Sequence, residues 1–106
     1  MKFVLKGRTF DTSTAISVAI DRGVRVPTHD TDEYFGAESV RFEYVLYRTP
    51  KGAFFVHYHD TVKFPRGKPV IEDVAEEVTP EKAVQWIVNH GAMILDTTDL
   101  PLPPEA

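Results

Sequence analysis

The chain has no cysteine. A structural disulfide and a thiolate nucleophile are thereby excluded, and any metal site is left to His, Asp and Glu. Nowhere does an apolar run approach the roughly 20 residues that a membrane-crossing helix requires. The opening Met1-Lys2-Phe3-Val4-Leu5-Lys6-Gly7 has one short apolar run followed by charge, unlike a secretory leader. Positive charge is scarce too: 12 Lys and Arg stand against 16 Asp and Glu, a net charge of −4 at neutral pH. Such a balance lacks the basic face of a direct nucleic-acid binder. A Gly-rich phosphate loop, a G-x-S-x-G elbow and an H-E-x-x-H helix are all missing. The expectation is a cytoplasmic protein with no membrane segment, no cofactor, no resident metal and no catalytic centre.

What is present suits one domain. A chain of 106 residues with 42% hydrophobic and 11% aromatic content can build a single core, and its size leaves no room for two. Lys6-Gly7 sits between two short apolar runs and reads as a hairpin turn with Gly7 at positive φ. Asp11-Thr12-Ser13 then offers N-cap oxygens, and Ala15, Ile16, Ala19 and Ile20 share one face of a helix that Gly23 would stop. Residues Val24 to Glu38 show no period and read as a long loop, the first place to look for a partner site.

The clearest local signal is a second hairpin. Val40 to Arg48 and Ala53 to Asp60 are rich in aromatic and β-branched residues, and Thr49-Pro50-Lys51-Gly52 separates them. That turn predicts Arg48 opposite Phe54, Leu46 opposite Val56 and Tyr44 opposite Tyr58. Phe42, Tyr44, Leu46, Phe54, Val56 and Tyr58 then form a core face. The opposite face, with Glu43, Val45, Tyr47, Phe55, His57 and His59, is too aromatic to be simply wet. Val70 to Val78 fits strand or helix, with strand preferred because Thr79-Pro80-Glu81 reads as the start of a helix running to Gly91. The predicted fold is α+β: a mostly antiparallel sheet of about five strands with two helices, in the order ββα-ββ-βα. It spans residues 1–96, with a Pro-rich extended or disordered tail over 97–106.

Three stretches carry a resemblance. The Lys2-to-Ala15 segment with its FDTSTA, the LYRTPKGAFFVHY hairpin and the VTPEKAVQWI helix are similar to elements of a family of small bacterial proteins common on phages and mobile elements. Together they cover about half the chain. The resemblance implies a fold, and the family's neighbourhood, which includes anti-CRISPR inhibitors of host immunity, implies a role in blocking a host complex.

Charge supplies the candidate interface. Asp30, Asp32, Glu33 and Glu38 make one acidic loop; Glu72, Asp73, Glu76, Glu77 and Glu81 make a second acidic run. The leading expectation is a non-catalytic binding protein that meets a protein partner with a basic surface. Its candidate contacts are Asp30, Asp32, Glu33, Tyr34, Phe35, Tyr47 and Phe55. A different class is also open: a small metal-dependent hydrolase using His57 and His59, at i and i+2 on one strand face, with Glu43 opposite. The third reading is a structural or regulatory homodimer paired through an edge strand.

Overall fold

The computed structural model describes residues 1–104. Strands β1 (Lys2–Leu5) and β2 (Arg8–Asp11) form a hairpin of their own. Its turn places Lys6 and Gly7 both at positive φ, 50° and 76°, the combination whose twist matches that of the flanking strands. Five further strands make one antiparallel sheet: β3 (Ile16–Arg25), β4 (Ser39–Arg48), β5 (Phe54–Lys63), β6 (Val70–Val78) and β7 (Met93–Ile94). Their spatial order is β6-β5-β4-β3-β7. Helix α1 (Pro80–His90) carries the chain from one edge strand to the other.

The β4–β5 hairpin has the register its turn predicts, with Arg48 opposite Phe54, Leu46 opposite Val56 and Tyr44 opposite Tyr58. Thr49 N–H donates to the Ala53 carbonyl at 2.8 Å, and Gly52 N–H donates to the Thr49 carbonyl at 2.9 Å. Gly52 takes φ 90° with open space where a Cβ would stand, so a side chain there meets backbone strain and nothing else. Gly52→Val should therefore cost about 1 kcal/mol or more, read from urea unfolding midpoints with an unchanged slope.

The segment expected as the first helix is strand β3, and α1 is the one helix among the described residues. The capping chemistry does act locally. The Asp11 carboxylate accepts from Ser13 N–H at 2.9 Å and from the Ser13 hydroxyl at 2.7 Å, and Ala15 N–H reaches the Asp11 carbonyl at 3.2 Å. One turn winds and the chain then extends. The β3–β4 register shifts between Ser17 and Ala19, and this bulge turns Val18 and Ala19 inward together, both fully buried. Two adjacent inward residues imitate helical spacing, which is how the strand disguises itself. Gly23 is not a helix stop either. It lies mid-strand under the Phe42 ring, where a Cβ would come within 3.1 Å of Cζ.

The later signals hold. Val70–Val78 is a strand, and the Thr79 hydroxyl accepts from Lys82 N–H at 3.2 Å as the N-cap of α1, with Pro80 in the first turn. Gly91 closes the helix in the left-handed region, φ 59°, and Ala92 N–H returns to the Ile87 carbonyl at 3.0 Å. From Thr97 no strand or helix forms among the described residues. The segment is nonetheless tied down: buried Arg48 donates to the Thr98 carbonyl at 2.6 Å and lies 3.5 Å from Asp96, while Leu100 packs on the core. The last two residues of the expected tail, Glu105 and Ala106, lie outside the described residues.

The sheet is covered on both faces. On one, α1 sets Ala83, Trp86 and Ile87 against Val18, Ala19, Leu46, Phe54 and Val56. At the far end of that same face the loop between β3 and β4 drops Tyr34 and Ala37 onto Val40 and Val62. On the opposite face the β1–β2 hairpin covers Phe55.

Candidate functional site

The register lays out the face beneath the hairpin as rows running across four strands. Ser17, Tyr47, Phe55 and Glu77 form one row; Ile20, Val45, His57 and Ala75 the next; Arg22, Glu43, His59 and Asp73 the third. The β1–β2 hairpin sits over the first. Phe10 meets Phe55 edge-on at 5.3 Å, Arg8 pairs with Glu77, and Phe3 lies 5.1 Å from the His57 ring. The aromatic second face foreseen in the sequence is thus closed by the chain's own N-terminal hairpin.

Beyond the hairpin's cover, His57 Nε2 and His59 Nδ1 converge on Asp73 Oδ1, at 2.7 and 2.6 Å. Asp73 stands directly opposite His59 on β6, while Glu43 stands opposite it on β4. Burial works against the Asp73 charge, but hydrogen bonds from His59 and His57 outweigh it and hold the carboxyl below its usual range. The carboxylate joined to the two histidines is therefore Asp73, and Glu43 is not part of the cluster. Sequence spacing cannot reveal this partner, because a contact between β5 and β6 depends on the register of a connection that contains two prolines and a glycine.

The other face holds the acidic loop. Asp32 accepts from Tyr34 N–H at 2.9 Å and pairs with Arg25, and these two contacts keep its carboxyl below the usual range. Tyr34 is buried, and its hydroxyl donates to Glu72 on β6 at 2.7 Å, with Asp60 at 3.3 Å. Tyr44 donates to the same buried Asp60 at 2.8 Å. Burial first, and then these carboxylates, push both phenols well above their ordinary range. The Tyr34–Glu72 bond brings the two acidic runs of the sequence together.

Of the seven candidate contact residues, Phe55 and Tyr34 are core side chains, so neither presents itself to a partner. Tyr47 is half-buried and stacks on Phe55 at 5.2 Å. Asp32 is engaged by Arg25. Asp30, Glu33 and Phe35 remain exposed, Phe35 by 56%.

The second acidic run lies along an edge of the sheet. Strand β6 is nine residues long and ends the sheet, paired with β5 on one side and, among the described residues, with no strand on the other. Val70, Ile71 and Val74 are 47%, 63% and 46% exposed along it. Glu72 and Asp73 stand between Ile71 and Val74, and Glu76 and Glu77 follow. No helix among the described residues is long and apolar enough to cross a membrane. No family model matches the chain, and no curated protein or solved structure matches it either.

Proposed function

We propose that this chain is a non-catalytic binding module that takes up an extended, basic segment of a partner protein along β6. The observation that carries the reading is the nine-residue edge strand with one ladder side unpaired by any strand among the described residues. An edge of this kind is a template for an added strand, whose main-chain hydrogen bonds supply affinity and whose alternate side chains supply specificity. Charge selects the occupant. Antiparallel pairing of two copies centred on Val74 would set Glu72 against Glu76 twice, an arrangement that like charges disfavour. A strand alternating Lys or Arg with Val or Ile meets the same carboxylates with opposite sign.

The acidic loop belongs to the same surface. Tyr34 anchors it to Glu72, which leaves Asp30, Glu33 and Phe35 exposed on a loop fastened to the start of β6. Exposed charges steer encounter over about a Debye length, near 8 Å at physiological salt. The resemblance to phage and mobile-element proteins suggests the class of partner: a basic, nucleic-acid-handling host protein, in keeping with an inhibitor of a CRISPR-type complex.

The test uses a fluorescent peptide of alternating lysine and valine, titrated at two salt concentrations. Binding should weaken as salt rises, and Glu76→Lys should weaken it further. Glu76 is exposed and makes no ion pair among the described residues, so its reversal should leave the melting temperature nearly unchanged. A peptide that binds Glu76→Lys as tightly as the parent chain would sink the reading. So would a stable dimer in sedimentation that occupies the edge.

A further inference from the structure

We propose that His57, His59 and Asp73 form a binding site for one divalent transition-metal ion of the zinc class, on the sheet face opposite α1. The three donor atoms already lie within 4.8 Å of one another. They come from rigid elements: His57 and His59 alternate along β5, and Asp73 is the cross-strand neighbour of His59 on β6. No loop has to move to assemble them.

The contacts present now are short hydrogen bonds, 2.7 and 2.6 Å, in which both imidazoles donate to one carboxylate oxygen. An ion with ligands at about 2.0–2.2 Å would take the place of those two protons. It needs each imidazole nitrogen to back away from the Asp73 oxygen by about 0.6–1 Å, since tetrahedral ligand atoms at that range sit about 3.3–3.6 Å from each other. Each imidazole can give up the proton on its inward nitrogen by carrying it on the other one. For His59 that second nitrogen already has a partner, the Thr61 hydroxyl at 3.3 Å, which can turn to accept it. Such an outer hydrogen bond fixes the ring orientation a ligand requires.

The surroundings suit this ion. The His57 side chain is 14% exposed, and the Phe3 ring lies 5.1 Å from its own ring, while His59 and Asp73 are 38% and 21% exposed. One side of the site is therefore dry and the other open. Two imidazoles and one carboxylate favour zinc, cobalt or nickel over magnesium and calcium, which prefer all-oxygen sets. Three protein ligands leave a coordination position for a water or a small anion, and His59 also borders an open groove with Arg22, Val24, Arg41, Glu43 and Thr61.

Cobalt(II) chloride is the probe, added to chelator-treated protein and followed by visible absorption and by melting temperature. The expected result is one equivalent bound, with the strong visible bands of four- or five-coordinate cobalt and a raised melting temperature. His59→Gln and Asp73→Asn should each abolish the bands, Thr61→Val should weaken binding about tenfold, and Glu43→Gln should leave it intact. Each variant is first melted in chelator. If His57→Gln proves unfolded there, the more exposed His59 still carries the test. An unchanged aqua-cobalt spectrum in the parent protein overturns the proposal. Binding that survives His59→Gln, or that disappears in His90→Gln, overturns it as well.

Discussion

Phe55→Ala is expected to cost about 3–5 kcal/mol, the range for emptying a fully buried aromatic site. Phe55 has no exposed surface and is touched from two directions, by Tyr47 stacked at 5.2 Å and by Phe10 edge-on at 5.3 Å. Phe10 belongs to the β1–β2 hairpin, whose remaining ties to the sheet include the exposed Arg8–Glu77 pair and the Phe3–His57 contact. An exposed ion pair contributes about 1 kcal/mol at most. The aromatic seam therefore holds the hairpin, and its loss should show twice: in a lower global unfolding free energy, and in faster amide exchange across residues 2–11 than across β4. Phe10→Ala should reproduce the second effect. The double variant should cost less than the sum of the two, because both remove one shared contact. Full additivity would mean that the hairpin is held elsewhere.

Trp86→Ala should be comparably severe, about 3–5 kcal/mol. Trp86 is the largest side chain that α1 places on the sheet, 7% exposed and within the cluster of Leu46, Phe54 and Val56. It also carries His90 stacked on it at 4.5 Å, and His90 in turn lies 3.1 Å from Asp21 on β3. Removing the indole thus opens a cavity and unseats the last turn of the helix. The N-cap at Thr79 cannot compensate, since a cap contributes about 1 kcal/mol. Far-UV dichroism in denaturant should show α1 lost with the sheet in one transition. A helix signal that persists after the sheet has melted would contradict this packing.

The parts of the fold legible in the sequence were those decided within a few residues. Pro50 and Gly52 determine a turn, the turn determines a register, and Thr79, Pro80 and Gly91 bound a helix. The first half of β3 was misread because the bulge at Val18 breaks the alternation by which a strand is recognised. Long-range placement was less legible still. Nothing local tells Phe55 from an exposed aromatic, because its cover is a hairpin about 45 residues earlier in the chain. The same limit applies to the site: His57 and His59 stood out by spacing, whereas their carboxylate partner depended on how β6 aligned with β5. The acidic runs were visible at once as charge, but Tyr34 had to be seen reaching Glu72 before they became one surface.

The most direct measurement is amide hydrogen exchange on the parent chain, with and without the lysine–valine peptide, resolved by residue. A strand added to the sheet hydrogen-bonds only the outward-facing amides of β6. Protection should therefore rise at alternate residues between Val70 and Val78 and stay flat along β7. Protection confined to the loop around Phe35, or spread evenly over the sheet, would contradict the account.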